Sequence, residues 1–321
     1  MTSIKFAVGA LCACTILGAA PASAAYPDKP ITMVVPFSPG GNLDITARIV
    51  APALEKVLNA RIVVVNKPGA GGIIGANQVA RSAPDGYTML VTTPNAIAVA
   101  PFMAATDYKP EDFQAVGLIA STPLVVDVPV DSPYHSINDL IKDACRNPGK
   151  LTVGHSGIGT TNYVALIKLQ QMTNCTFNPI AYKGSAPALV DLAGGQLDTV
   201  IDQLSSSTSL ITGGKIKALA VMTAQPVSAL KGVPTLEESG IKGLDESTRT
   251  GILLPKGVPA DVVKQLNDAV VQVSKDSKVM TAMDNIGSMA ESSTPATFTD
   301  LISSETEMAR RLDQAGKLKT R

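Results

Sequence analysis

The 321-residue sequence predicts an α/β fold in two lobes, and three observations support this prediction. Short apolar, β-branched runs such as residues 31–35 alternate with helical patterns, which is typical of parallel α/β layers. The plan of strand, glycine turn and helix in residues 31–92 is repeated in residues 124–222. Two helical patterns, at 259–274 and 297–315, come last and have no lobe of their own to pack against.

We therefore expect two lobes joined by crossing strands near Val125 and Thr250, with a ligand cleft between the lobes. The expected lobe 1 contains residues 25–124 and 248–321, and the expected lobe 2 contains residues 125–247. Ligands of such sheets bind at the carboxyl ends of the strands, where the glycine turns also lie.

The first 24 residues are typical of a cleavable signal peptide. Lys5 supplies a positive charge, residues 6–17 are apolar, and Ala22-Ser23-Ala24 is a small-residue cleavage site. The apolar run is too short to span a membrane. We expect an exported protein that resides in the periplasm.

Composition excludes several classes of function. Lys and Arg total 27, as do Asp and Glu, so no excess of positive charge indicates nucleic-acid binding. With two histidines, His135 and His155, and no CxxC motif, we expect no metal site, and no motif indicates a cofactor. Cys145 and Cys175 remain after the signal peptide, and they form either a disulfide or two buried thiols.

Four glycine-containing turns, at residues 36–43, 66–75, 155–160 and 182–185, each follow a predicted strand and precede a helical pattern. The first N–H groups of a helix have no intrahelical partner, and the helix dipole favours an anion there. Glycine also lets a ligand approach the backbone closely. We predict that turns from both lobes bind a carboxylate, although each pair of glycines could merely form a tight turn.

Three charged residues near these turns have competing interpretations. Asp44 and Arg48 are four residues apart at the start of a helix, and a structural ion pair is favoured for both. Asp202 ends a predicted buried strand, where it either contacts the ligand or braces the loop.

Residues 154–158 partly match the nucleophile-elbow motif of serine hydrolases, but the motif is incomplete. Ile158 stands where the nucleophile elbow needs a glycine two residues after Ser156. His155 is adjacent to that serine and poorly placed to act as its base. We therefore expect no enzyme activity.

Several motifs resemble the Bug-type receptors of tripartite tricarboxylate transporters, and they cover nearly all of the mature chain in order. They are Tyr-Pro-Asp-Lys-Pro-Ile at 26–31, Pro-Phe-Ser-Pro-Gly-Gly at 36–41 with Asp44 and Arg48, Asn-Lys-Pro-Gly-Ala-Gly-Gly at 66–72, Pro-Asp-Gly-Tyr at 84–87, Pro-Gly-Lys at 148–150 and Tyr-Lys-Gly-Ser-Ala-Pro at 182–187. The resemblance implies a periplasmic solute-binding protein of the two-lobed, type II kind. Such a protein closes on a small carboxylate and hands it to integral membrane permease subunits.

The resemblance also implies where the ligand binds. By position, the ligand-binding residues are Phe37, Ser38, Gly40, Gly41, Asn42, Leu43, Thr92, Asn95, Ser156, Gly159, Thr160, Thr161 and Asp202. The family often has an aromatic pair before Gly251, but this chain has Arg249 and Thr250. If Arg249 faces the cleft, its guanidinium group grips a second carboxylate, and a dicarboxylate is then expected. The other interpretation is a surface or ion-paired arginine.

The leading hypothesis is a monomeric transport receptor that performs no chemistry. One alternative is a binding protein that presents its ligand to a membrane signalling partner. A periplasmic hydrolase is the remaining alternative.

Overall fold

The computed structural model describes residues 26–316 and residue 318, so the predicted signal peptide lies outside the described residues. The strands are β1 (Ile31–Val35), β2 (Ile62–Asn66), β3 (Thr88–Thr92), β4 (Phe113–Pro129), β5 (Thr152–His155), β6 (Asn178–Ala181), β7 (Thr199–Gln203), β8 (Ile216–Val221), β9 (Ser247–Pro255) and β10 (Met289–Ala290). The helices are α1 (Asn42–Leu58), α2 (Ile73–Ala80), α3 (Pro94–Ala98), α4 (Ala100–Met103), α5 (Ile137–Arg146), α6 (Thr161–Thr173), α7 (Ser185–Ala193), α8 (Leu204–Thr212), α9 (Ala260–Val273), α10 (Ser277–Asp284) and α11 (Pro295–Gln314).

Two sets of parallel strands are joined by two long antiparallel strands. The strand order is β2-β1-β3-β9-β4-β7-β5-β6, and β8 and β10 also pair with β4. β1 pairs in parallel with β2 and β3, and β5 pairs in parallel with β6 and β7. We use lobe 1 for the half built on β1–β3 and lobe 2 for the half built on β5–β8.

β4 and β9 are the strands that cross between the lobes. β4 has 17 residues and pairs with β9 along its first part and with β7 and β8 along its second part. The sequence indicated only the second part of β4, from residue 124, because the bulges at Ala115/Gly117 and Leu118/Ala120 disturb the pattern of the first part. The lobe boundaries at 124/125 and 247/248 stay a prediction.

The core of lobe 1 explains the position of α1. Leu43, Ala47, Val50 and Leu54 recur at helical spacing and are buried against β1 and α9. Ile45 and Ile49 of the same helix are only partly buried. The C-terminal helices pack on lobe 1, where α9 contributes to the same core and α11 places Phe298 in a second one.

Lobe 2 has a separate core, and a disulfide closes one end of it. Leu140, Leu166 and Ile201 are fully buried there between α5, α6 and the sheet. Cys145 at the end of α5 is bonded to Cys175, which follows α6, with a sequence separation of 30 residues. Of the two possibilities that the sequence left open, the structure has the disulfide. In the described part of the chain no helix is both long and apolar enough to cross a membrane.

We expect that replacing both Cys145 and Cys175 by Ser lowers the free energy of unfolding by about 3–4 kcal/mol, because the 30-residue loop is no longer closed in the unfolded chain. Urea unfolding of the variant measures this change. Wild-type protein unfolded with a reductant should lose a similar amount. A loss below about 1 kcal/mol in both experiments would show that the bridge contributes little.

Candidate functional site

A narrow cleft between the lobes is the candidate functional site. It has an empty volume of about 330 Å³. Its lining comes from both lobes and consists of Phe37, Gly41, Asn42, Leu43, Thr93, Ser156, Thr160, Thr161, Asn162, Ser185 and Gln203. All of these residues lie at or next to the carboxyl ends of strands, where ligands of α/β sheets bind.

Buried polar side chains from both lobes, not size, distinguish this cleft from the other described cavities. A groove beside the crossing strands has a larger empty volume of about 1070 Å³, but it is a surface feature whose residue Met289 is 58 % exposed. In the cleft, Asn42 is only 2 % exposed although its side chain is polar. A cleft between two lobes with a few polar groups placed in its wall is the usual form of a small-molecule site.

Four helices begin at the cleft without a side-chain cap. The residues before their first turns are Gly41 (α1), Thr160 (α6), Gly184 (α7) and Gln203 (α8), and none of these described residues caps its helix with its side chain. Side-chain caps occur on α3, whose cap Thr93 also lines the cleft, and on α5, α10 and α11 outside the lining, whereas α2, α4 and α9 outside the lining are uncapped as well. The uncapped starts therefore have backbone N–H groups that another acceptor can use.

The described lining contains no charged side chain. Hydroxyl, amide and backbone groups provide all of its polarity. The partial positive charge of the helix starts is thus the main electrostatic attraction that the wall offers to an anion.

The first glycine turn is held in place by Asp44. Its carboxylate accepts hydrogen bonds from the backbone N–H of Gly40 (2.9 Å), from Arg48 Nε (3.0 Å) and from Asn66 Nδ2 (2.9 Å). Burial raises the pKa of Asp44, but the hydrogen bonds from Arg48, Gly40 and Asn66 outweigh it and leave the pKa lowered. The structure thus agrees with the structural interpretation of Asp44 and Arg48.

The hydrogen bonds of Asn42 connect the lobes at the base of the cleft, which we call the cleft floor. Its Oδ1 accepts from Ser205 Oγ of lobe 2 (2.7 Å) and from Thr122 Oγ1 of the crossing strand β4 (3.1 Å). Its Nδ2 lies 3.5 Å from Thr250 Oγ1 on the other crossing strand, β9. One buried side chain therefore contacts lobe 2 and both crossing strands.

A second polar network surrounds Asp202, just behind the lobe 2 wall. Asp202 Oδ1 accepts from Ser185 Oγ (2.5 Å) and Asn162 Nδ2 (3.2 Å), and Oδ2 accepts from Ser206 Oγ (2.5 Å). Gln203 Nε2 donates to Asn162 Oδ1 (2.9 Å) and to Thr248 Oγ1 of β9 (3.0 Å). Burial raises the pKa of Asp202 to about 6, although hydrogen bonds from Ser185 and Ser206 lower it.

The lobes touch each other around the cleft. Ser38 N donates to the backbone oxygen of Lys183 (3.1 Å), and Thr161 Oγ1 donates to Asn95 Oδ1 (3.2 Å). Gly71 lies so close to the other lobe that a Cβ there would come 2.3 Å from the backbone oxygen of Ile158. These contacts define a closed arrangement of the lobes with a narrow cleft between them.

The residues that the sequence analysis gave as ligand-binding lie in four different parts of the structure. Those that line the cleft are Phe37, Gly41, Asn42, Leu43, Ser156, Thr160 and Thr161. Those at the contact between the lobes are Ser38, Gly40, Asn95 and Gly159, which meet Lys183, Ala186, Thr161 and Ala100. Thr92 and Asp202 are fully buried behind the wall, and Arg249 points away from it. Among the four predicted turns, residues 66–75 reach the contact between the lobes but not the lining.

The sequence left two interpretations of Arg249 open, and its position in the structure favours the surface one. Side chains alternate along a strand, and Thr248 and Thr250 of β9 contact Gln203 and Asn42 at the cleft floor. Arg249 therefore lies on the opposite face, where it is exposed and 3.9 Å from Glu291. The interpretation as an ion-paired surface arginine applies.

Sequence reasoning missed Thr93, Asn162, Ser185 and Gln203 in the lining. Each is the residue just before a helix or within its first two residues, at the helices α3, α6, α7 and α8. The helix-start argument had already indicated the turn at residues 182–185, which contains Ser185, and its extension to the starts of α3 and α8 would have found Thr93 and Gln203.

The hydrolase alternative has no support in this geometry. Ser156 Oγ pairs with Ser185 Oγ (3.1 Å), and His155 Nδ1 accepts from the backbone N–H of Gly157 instead of contacting the serine. Burial lowers the pKa of His155 to about 4. Within residues 26–316 and 318, no group of three or more His, Cys, Asp or Glu residues is placed to hold a metal ion.

Comparison with known proteins gives consistent matches over most of the chain. The family model described as the tripartite tricarboxylate transporter family receptor matches residues 46–315. A UPF0065 protein from the tcbD-tcbE intergenic region of Pseudomonas sp. (strain P51) is 36 % identical over 90 % of this chain and 86 % of that protein. The protein BugT of Bordetella pertussis is 32 % identical over 92 % of this chain and 91 % of that protein.

Solved structures with the same fold include liganded ones. The periplasmic binding protein BugD superposes with a TM-score of 0.86 at 34 % identity, covering 92 % of this chain and 100 % of that one. The R. palustris protein Rpa4515 with adipate gives 0.86 at 31 % identity, covering 91 % and 98 %. MatC from Rhodopseudomonas palustris with bound malate gives 0.85 at 27 % identity, covering 90 % and 100 %.

We expect that Asn42→Ala lowers the free energy of unfolding by about 1–3 kcal/mol, because the buried hydroxyls of Ser205 and Thr122 lose their acceptor. Chemical denaturation of the ligand-free protein measures this loss. The matched control is Asn138→Ala, which removes an exposed asparagine with one hydrogen bond to Ser239. Equal losses in both variants would contradict the role of Asn42 in the cleft floor.

Proposed function

The chain belongs to the tripartite tricarboxylate transporter receptor family, and on that premise we propose that it is a periplasmic receptor that captures a small carboxylate between its lobes. It delivers this ligand to the integral membrane subunits of a transporter. The receptor acts as a monomer and without a cofactor.

The observation that carries the proposal is the meeting of four uncapped helix starts, from both lobes, around one cleft. Their N–H groups and dipoles favour an anion, while the described lining has no charged side chain that could favour a cation. A carboxylate has two acceptor oxygens, so one carboxylate can accept from helix starts on opposite walls.

Size and relatives support a small diacid as the ligand. The cleft is narrow, and its walls come from both lobes, which favours a small ligand that can touch both of them. The related structures named for malate and adipate each hold a dicarboxylate. Because Arg249 points away from the cleft, a second carboxylate here would depend on hydroxyl and amide donors instead of a guanidinium group.

Binding and closure are coupled in this mechanism. A ligand that touches both walls binds the closed arrangement better than an open one. It therefore shifts the population of receptor molecules toward the closed arrangement. The contacts of Ser38 with Lys183 and of Asn95 with Thr161 form only when the lobes meet. The closed receptor is then the form that the membrane subunits recognise.

A thermal-shift panel of mono-, di- and tricarboxylates and amino acids identifies the ligand. A carboxylate at 100 times its dissociation constant should stabilise the protein by about 2.7 kcal/mol, which raises the melting temperature by a few degrees. If no carboxylate shifts melting while a cationic or neutral solute does, the proposal is wrong.

Two substitutions at Thr161 then test the helix starts directly. Thr161→Ala removes the side chain, whereas Thr161→Pro also removes the backbone N–H, and proline is well tolerated at this first helical position. We expect the Pro variant to bind the ligand from the panel about tenfold or more weakly than the Ala variant, because a charge-assisted hydrogen bond is lost. Equal affinities, measured by calorimetry, would show that this N–H does not bind the ligand.

A further inference from the structure

Asp202 lies directly behind the wall of the cleft and is coupled to it by hydrogen bonds. Its side chain is 0 % exposed. The donors to its Oδ1, Ser185 Oγ and Asn162 Nδ2, belong to residues that line the cleft. While Asp202 is ionised, these two donors are directed at its carboxylate and not at a ligand.

Asp127 is a second buried carboxyl group next to Asp202. Within the described chain neither of its side-chain oxygens has a hydrogen-bond partner, because the nearby Ser207 hydroxyl is directed at backbone oxygens. Val125 is paired with Asp202, so Asp127, two residues further along β4, is a diagonal neighbour on the same face. Burial and then the charge of Asp202 raise the pKa of Asp127 well above its usual value, which favours the neutral form of this group.

The other titratable groups around Asp202 do not supply a positive charge. His155 ends the neighbouring strand β5, and burial lowers its pKa to about 4, so it is neutral near pH 7. Tyr163 on α6 packs against His155, and burial raises the pKa of its hydroxyl. α7 and α8 present the hydroxyls of Ser185 and Ser206, and Lys183 before α7 is exposed on its turn.

An anion that enters this cleft therefore meets helix dipoles but also a buried carboxylate. We infer that the cleft takes up a proton together with a carboxylate ligand and that Asp202 accepts this proton. The inference rests on the proposed carboxylate-binding function. Protonation removes the repulsion between the two carboxylates and frees the Ser185 hydroxyl to turn toward the ligand, whereas Asn162 Nδ2 remains bonded to the backbone oxygen of Ile201 (2.9 Å).

The direction of the pH dependence follows from this arrangement. Burial already raises the pKa of Asp202 to about 6 in the ligand-free protein, and a nearby anion raises it further. The complex then holds more protons than the free protein near pH 7, and affinity falls as the pH rises. Burial favours the neutral form of Asp127 already without the ligand, so we expect this group to contribute less to the linkage than Asp202.

Calorimetry with malate and adipate, or with the carboxylate of the panel that shifts melting most, tests the inference. Titrations near pH 7 in two buffers of different ionisation enthalpy should show uptake of about half a proton or more per ligand. The dissociation constant should rise about fivefold between about pH 6.5 and about pH 8, where simple dicarboxylic acids are fully ionised.

Two variants assign the proton to a residue. Asp202→Asn should bind with no proton uptake and no pH dependence over this range, whereas Asp127→Asn should keep both. Proton uptake that persists in Asp202→Asn overturns the assignment. If that variant does not fold, carbon-13 NMR of the wild-type carboxyl groups near pH 7 decides, because the Asp202 resonance should move to its protonated position when the ligand is added.

The outcomes separate this inference from the function it rests on. Carboxylate binding without proton uptake overturns the inference and leaves the proposed function intact. If no carboxylate in the panel binds, the proposed function fails, and the inference fails with it.

Discussion

Backbone N–H groups at the starts of helices are the feature on which the rest of this structure depends. α1 in lobe 1 and α6, α7 and α8 in lobe 2 begin at the same cleft, and their first residues lack the side-chain caps found on α5, α10 and α11. Such N–H groups are unsatisfied in the absence of another acceptor. These N–H groups therefore favour the binding of an anion in the cleft, although the described lining has no charged side chain.

The scaffold keeps these helix starts in position. Parallel strands in each lobe end at the cleft, and the glycine turns let the chain enter a helix without a side chain blocking the wall. β4 and β9 cross between the lobes, and Thr122, Thr248 and Thr250 on these strands are hydrogen-bonded to Asn42 or Gln203. The floor of the cleft is thus continuous with the strands about which the lobes would move.

Charge inside lobe 2 adds a second constraint. Two buried carboxyl groups, Asp127 and Asp202, lie behind a wall that attracts an anion. Ionised carboxyl groups at both positions would be costly in such a buried environment. The polar network around Asp202 therefore connects the electrostatics of the wall to proton binding.

Much of the fold was predictable because its signals are local. Apolar β-branched runs predicted the buried strands, and the glycine turns predicted the helix starts. Phe37, Gly41 and Thr160 lie in these predicted turns, and the structure has them in the cleft lining. The first part of β4 was missed because two bulges disturb its pattern. The orientation of Arg249 stayed open because it depends on where β9 begins, at Ser247, which sets the alternation of the strand.

Long-range pairings could not be deduced from sequence at all. Asn42 and Ser205 are 163 residues apart, and Asp127 and Asp202 become neighbours only through the pairing of β4 with β7. Such contacts depend on register and on the packing of the two lobes. The sequence identified the residue types but not these partners.

A crystal structure of the protein with its bound carboxylate tests the central claim most directly. We expect a carboxylate oxygen within about 3 Å of backbone nitrogens at the start of α1 in lobe 1 and at the start of α6 or α7 in lobe 2. A ligand held by one lobe alone, or by a charged side chain outside this cleft, would contradict the account.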